Sequence, residues 1–221
     1  MTKTDLKCAW VVVSAWAPEL SRLRALLSTR PEAPVVLQTV GVGLVEAAIG
    51  ASRILAAHRP ERAIFLGTCG RYENARHPVQ VLDVVVGSKV SVVDGDVVRG
   101  ASELPPPMPA SADLDARLAD AFAKSGAIPV HIANTIGITV DATTAGELGW
   151  RFDVEHLEAF AFARACHALA IPCAVVLGVA NDVGPKGREQ WKQNHVEASA
   201  RAGDLVARAL DTILRMSTKA Q

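Results

Sequence analysis

Short apolar runs alternate with longer segments of helical periodicity along this 221-residue chain, and that alternation restricts it to few folds. The run AWVVVSA (9–15) holds no polar residue before Ser14, as a strand buried on both faces requires. PELSRLRALLS (18–28) follows, with Leu20, Leu23, Leu26 and Leu27 at helical spacing and Pro18 suited to a first turn. The cycle repeats as strand APVVLQTV (33–40), helix LVEAAIGASRILAAH (44–58) and strand RAIFLGT (62–68). The Val-rich stretch 78–100 predicts two or three strands with a hairpin at Asp94-Gly95. ELPPPMPAS (103–111) is a surface loop, because Pro forbids regular pairing. A helix from about Asp113 to Lys124, a strand over 129–135 and a polar segment over 137–150 come next. A helix over 154–170, a strand over 171–180 and a helix over 195–216 close the pattern. The repeated units predict one α/β domain over 1–221, a mixed, mostly parallel central sheet flanked by helices.

Half of the residues are hydrophobic, enough for one sizeable core, and 23 basic residues balance 23 acidic ones. With no basic block, neither a nucleic-acid nor a membrane partner is expected. The apolar run near the start is too short to span a bilayer and no cleavage region follows it, so a cytoplasmic location is expected. Cys8, Cys69, Cys166 and Cys173 are scattered without ligand spacing, which predicts reduced thiols and no metal site. GVGLVE lacks the third Gly of a dinucleotide fingerprint, and no nucleotide or other cofactor is expected.

In open α/β sheets, ligands bind beyond the carboxyl ends of the strands. There this chain has Glu19 after the first strand, Gly41 and Gly43 after the second, Gly67, Thr68 and Gly70 after the third, and Asn181 and Asp182 after the last. Glu158 lies in an apolar segment, where an unsatisfied carboxylate costs several kcal/mol, on the order of 3–5. Either a backbone amide or Arg164 satisfies it, or ligand hydroxyls do; a vicinal diol suits both of its oxygens.

The segment VGVGLVEAAIGASRILAAHRPERAIFLGTCG, the strand VLDVVVGSKV and the block EHLEAFAFARACHALAIPCAVVLGVANDVG together resemble the purine nucleoside phosphorylase and nucleosidase superfamily. Leu82 stands where the family strand has Gly, and His156 and Ala159 depart from its usual EMEG. The resemblance implies a nucleoside phosphorylase-like fold and a homodimer or larger assembly. It implies that Glu158 holds the ribose hydroxyls, with Leu157 under the sugar, and that Glu19 activates the attacking water. It puts Thr68, Cys69 and Gly70 at the nucleophile and base-facing loop, and Val42 and Val140 against the substrate. Asn181 falls where many members carry the Asp that contacts purine N7, with Asp182 one position beyond. An Asn amide hydrogen-bonds N7 and O6 of a 6-oxopurine but transfers no proton; NxVG followed by Trp191 is similar to futalosine hydrolases. His156 is read as a helix residue beside the site, and Trp150 and Trp191 as covers of the base or 5′ group or as packing.

Phosphorolysis needs an anion cradle. VGVGLVE has no Arg, GTCGRY has only Arg71, and Arg22 and Arg24 lie on the helix after Glu19. The expected reaction is hydrolysis of the N-glycosidic bond of a 5′-modified purine nucleoside, futalosine- or methylthioadenosine-like. The alternatives are a phosphate-dependent phosphorylase and a catalytically silent nucleoside-binding relative.

Overall fold

The computed structural model describes residues 9–30 and 33–218. Strand β1 (Trp10–Ser14) is buried throughout, and alternation sends Trp10 and Val12 into one apolar layer, Val11 and Val13 into the other. A 3-10 turn (Ala17–Leu20), opened by Pro18, leads into helix α1 (Ser21–Leu27). Strand β2 (Val35–Thr39), helix α2 (Leu44–His58) and strand β3 (Arg62–Arg71) complete a unit in which β1 lies parallel between β2 and β3.

The middle of the chain supplies strand β4 (Val84–Val92), the short helix α3 (Gly95–Arg99), strand β5 (Ser111–Asp113), helix α4 (Ala116–Lys124) and strand β6 (Ile128–Asn134). Helix α5 (Ala142–Gly149), strand β7 (Val154–His156), helix α6 (Ala159–Ala168), strand β8 (Cys173–Asp182) and helix α7 (Gly187–Thr218) follow. Strand β8 runs parallel to β3 and antiparallel to β4, β6 is parallel to β4 and β7, and β7 returns antiparallel to the end of β3. The path β3–β8–β4–β6–β7 therefore closes on itself, while β1, β2 and β5 extend the mixed sheet. Helices α2 and α6 cover one face around Phe65 and Leu177, and α1, α4 and α7 cover the other around Ile64 and Val176. Burial of each such side chain contributes about 1.5–3 kcal/mol.

Three expectations are corrected. Asp94 caps α3 through a bond from Val97 N instead of turning a hairpin, since its side chain satisfies an end amide of the helix. The stretch 78–100 contributes one strand, β4, rather than two or three. Residues 154–156 are strand, and α6 begins only at Ala159, because β7 pairs with both β3 and β6. Leu82, in the position of the family Gly, has a φ of 74°; a side chain in that left-handed conformation costs roughly 1–2 kcal/mol.

Candidate active site

A cavity of about 390 Å³ opens where β1, β3, β7 and β8 end and α7 begins. Glu19 reaches it from the 3-10 turn and is only 7% exposed. Its Oε2 accepts from Ser14 Oγ at 2.6 Å, and its Oε1 accepts from Thr68 N at 2.9 Å and Thr68 Oγ1 at 2.8 Å. Burial outweighs these bonds and raises its pKa above that of an ordinary carboxylate. Trp191 Nε1 donates to Thr68 Oγ1 at 3.1 Å, which ties α7 to the same cluster.

Glu158 precedes α6, and its Oε1 accepts from Gly43 N at 2.7 Å. Gly43 sits at φ 89°, a conformation side chains rarely adopt, and there it presents its N–H to the carboxylate. The partner of Glu158 is thus this backbone amide, while Arg164 is exposed. Burial raises the Glu158 pKa as well. His156, at the end of β7, accepts at Nδ1 from the N–H groups of Glu158 and Ala159, both at 3.1 Å. Burial pushes its pKa down to about 4.

Asn181 and Asp182 part company. A one-residue register shift between β3 and β8 falls at Cys69/Gly70, and such shifts re-aim the side chains beyond them. Asn181 lines the cavity and donates from Nδ2 to the carbonyl of Asp182 at 2.8 Å. Asp182 lies outside it: Oδ1 accepts from Arg71 Nε at 2.6 Å and Oδ2 from Gln190 Nε2 at 2.8 Å.

Of the other expected residues, Val42, Thr68, Cys69, Gly70 and Leu157 line the cavity. Val140 does not; it is exposed, and Ile138 takes the place at the rim. Cys69 is buried and its thiol pKa is pushed up, so it carries no thiolate at neutral pH. Trp150 is exposed and away from the cavity, whereas Trp16 joins Trp191 on its wall with ring centroids 6.1 Å apart. Sequence reasoning missed Ser14, which only the fold brings to Glu19. It also missed Arg188 and Lys192, which line the cavity from the first turns of α7 and have no ion-pair partner among the described residues. Their spacing around Trp191, three residues before and one after, was the available signal.

The family model described as "Phosphorylase superfamily" matches residues 18–215. The chain belongs to the phosphorylase superfamily. Among curated proteins of this superfamily, the 5′-methylthioadenosine/S-adenosylhomocysteine nucleosidase of Bacillus subtilis is 27% identical over 191 residues, covering 81% of each chain. The protein of the same name from Halalkalibacterium halodurans is 26% identical over 190 residues, covering 78% of each. A solved futalosine hydrolase mutant of Helicobacter pylori superposes with a TM-score of 0.80 at 12% identity, covering 92% of this chain and 98% of the other. The Neisseria meningitidis 5′-methylthioadenosine/S-adenosylhomocysteine nucleosidase in complex with methylthio-immucillin-A gives 0.78 at 21% identity, with the same coverage. At these identities the solved structures establish the superfamily fold, a single α/β domain around a mixed sheet.

Proposed function

We propose that this phosphorylase-superfamily chain hydrolyses the N-glycosidic bond of a purine nucleoside. The observation that carries the reading is Glu19, a buried carboxylate held by Ser14 and Thr68 in the same cavity as Glu158 and Asn181. Water bound at Glu19 gives up a proton to the carboxylate as its oxygen bonds to C1′ and the C1′–N9 bond breaks. The N9 electron pair leaves with the purine. Glu158 accepts from the sugar hydroxyls, and Leu157 packs beneath the ring. Asn181 stabilises the departing base by a hydrogen bond at N7, with no proton to give. Asp182, engaged by Arg71 and Gln190, takes no part. An amide in that place favours a 6-oxopurine over adenine. The nucleosidase names of the curated relatives support the same reaction class.

Free base released from a panel of inosine, adenosine, 5′-methylthioadenosine and futalosine, with and without phosphate, tests the reading by chromatography. Release without phosphate is expected, and release that requires phosphate overturns hydrolysis. Arg188 and Lys192 favour that second reading, since two cations at the cavity suit a phosphate oxyanion. The Arg188→Ala/Lys192→Ala protein then loses the phosphate-dependent turnover, whereas a hydrolase keeps its turnover in water.

A homodimer or larger assembly belongs to this proposal. Val42, Val45, Ile49, Ile136, Ile138 and Val140 are exposed, and Val42 and Ile138 share the cavity rim, a face suited to a second copy. A cytoplasmic setting accords with Cys69, Cys166 and Cys173, all free thiols, whereas Cys8 lies outside the described residues. Among the described residues no helix is long and apolar enough to cross a membrane.

A further inference from the structure

The reaction above gives His156 no role, yet its ring is set into the cavity floor at 6% exposure. Phe65 meets it edge-on, with centroids 5.0 Å apart and planes at 84°, so the ring has little freedom to turn. The two backbone N–H groups that point at Nδ1 require a lone pair there, which places the proton of the neutral ring on Nε2. Nε2 has no protein acceptor among the described residues, nor is it sealed from solvent-filled space. The accessible space beside the ring is the cavity.

Glu158 is the neighbour that decides what this donor meets. Its Oε2 lies 3.4 Å from Nδ1, so the imidazole and the carboxylate stand side by side in the lining of one cavity. An ionised carboxylate only accepts, so a sugar hydroxyl bound to it points its O–H at the carboxylate and turns lone pairs outward. We infer that His156 binds the substrate directly, donating from Nε2–H to the oxygen of a sugar hydroxyl whose own O–H donates to Glu158. The inference rests on the nucleosidase reading and goes beyond the resemblance, which has Glu, an acceptor, in the position of His156. Charge supports it. A sugar passing through an oxocarbenium-like state repels a cation, and burial keeps this imidazole neutral. Protonation at Nδ1 would also set three N–H groups against one another at the start of α6.

Two variants separate the donor from the cap. His156→Asn keeps an acceptor near the Nδ1 position and removes the distal N–H; His156→Gln places an amide near Nε2 and removes the cap. Each is assayed on whichever of inosine or 5′-methylthioadenosine the wild type cleaves, and on its 2′-deoxy and 3′-deoxy forms. His156→Asn is expected to lower kcat/KM for the ribonucleoside roughly 10- to 100-fold while leaving one of the deoxy forms unchanged. His156→Gln is expected to recover part of the discrimination between those two substrates despite a lower Tm. If His156→Asn leaves the ribonucleoside unaffected, or weakens all three substrates equally, the inference is overturned and the ring is a cap alone. A wild-type protein that releases no base from any nucleoside overturns the hydrolase reading itself, and this inference with it.

Discussion

Glu155 and Glu158 stand three residues apart, both buried, and their surroundings set them to different work. Glu155 Oε1 accepts from Thr139 N at 3.0 Å, and Oε2 accepts from Thr139 Oγ1 at 2.5 Å and Tyr72 Oη at 3.1 Å. Its oxygens are occupied by the protein. Glu158 accepts from the backbone amide of Gly43 and, like Glu155, lines the cavity, but it stands beside a histidine whose Nδ1 lone pair is already engaged. Glu19 and Asp182 repeat the contrast: a buried carboxylate aimed at the cavity, and another neutralised by Arg71 outside it. Burying a charge is costly in either case, and Glu19 accepts as many protein hydrogen bonds as Glu155, so the use of a buried carboxylate is set by where it stands in the cavity as well as by the donors that hold it.

Glu19→Gln is the strongest test of that division. The proposed base is lost, and activity is expected to fall at least roughly 10²–10⁴-fold in a base-release assay. Stability moves the other way. The folded pKa of Glu19 lies above its unfolded value near 4.5, so the folded protein binds the extra proton between those two values. The wild type loses stability as pH rises through that window, and Glu19→Gln is spared the loss. Its Tm is expected to exceed wild type at pH 7 to 8, with the gain vanishing as pH falls to 4.5. A Tm gain constant with pH contradicts the buried-charge account. The raised pKa also sets the acid limb of wild-type kcat/KM above pH 4.5, which a pH–rate profile reads directly.

Glu158→Gln keeps the shape and one acceptor, and is expected to cost about 10- to 100-fold in kcat/KM for ribonucleosides. Full activity in this variant removes Glu158 from the sugar. Asp182→Ala should reverse the pattern. Arg71 and Asp182 are 19% and 23% exposed, and parting them is expected to cost about 1–3 kcal/mol by denaturant unfolding, with kcat changed less than severalfold. A large loss of kcat at unchanged stability would return Asp182 to the chemistry. Trp191→Phe has the smallest expected effect: the bond to Thr68 Oγ1 is lost, the ring remains on the wall, and kcat/KM falls about 2- to 10-fold.

Much of this was legible in the sequence. The βα alternation follows from apolar runs whose two faces must both be covered, and β1, α2 and β3 lie within a residue or so of their expected ends, save that β3 continues to Arg71. The Gly before α2 and the carboxylates near strand ends were visible because their residue types are costly anywhere else. The strand end at Asp94-Gly95 misled, since the same two residues serve a hairpin or a helix cap and only the following packing chooses.

What the tertiary structure alone decided is which of two adjacent polar residues meets the cavity, and which protein groups meet each carboxylate. Alternation says that Asn181 and Asp182 point opposite ways but not which way is inward; the register shift against β3 and the pull of Arg71 and Gln190 settle it. Glu19 meets Thr68 across 49 positions and Glu158 meets Gly43 across 115. No local pattern encodes contacts so distant. Residue types and period fix the elements and the cost of a buried charge, while the long-range closure of the sheet determines how that charge is answered.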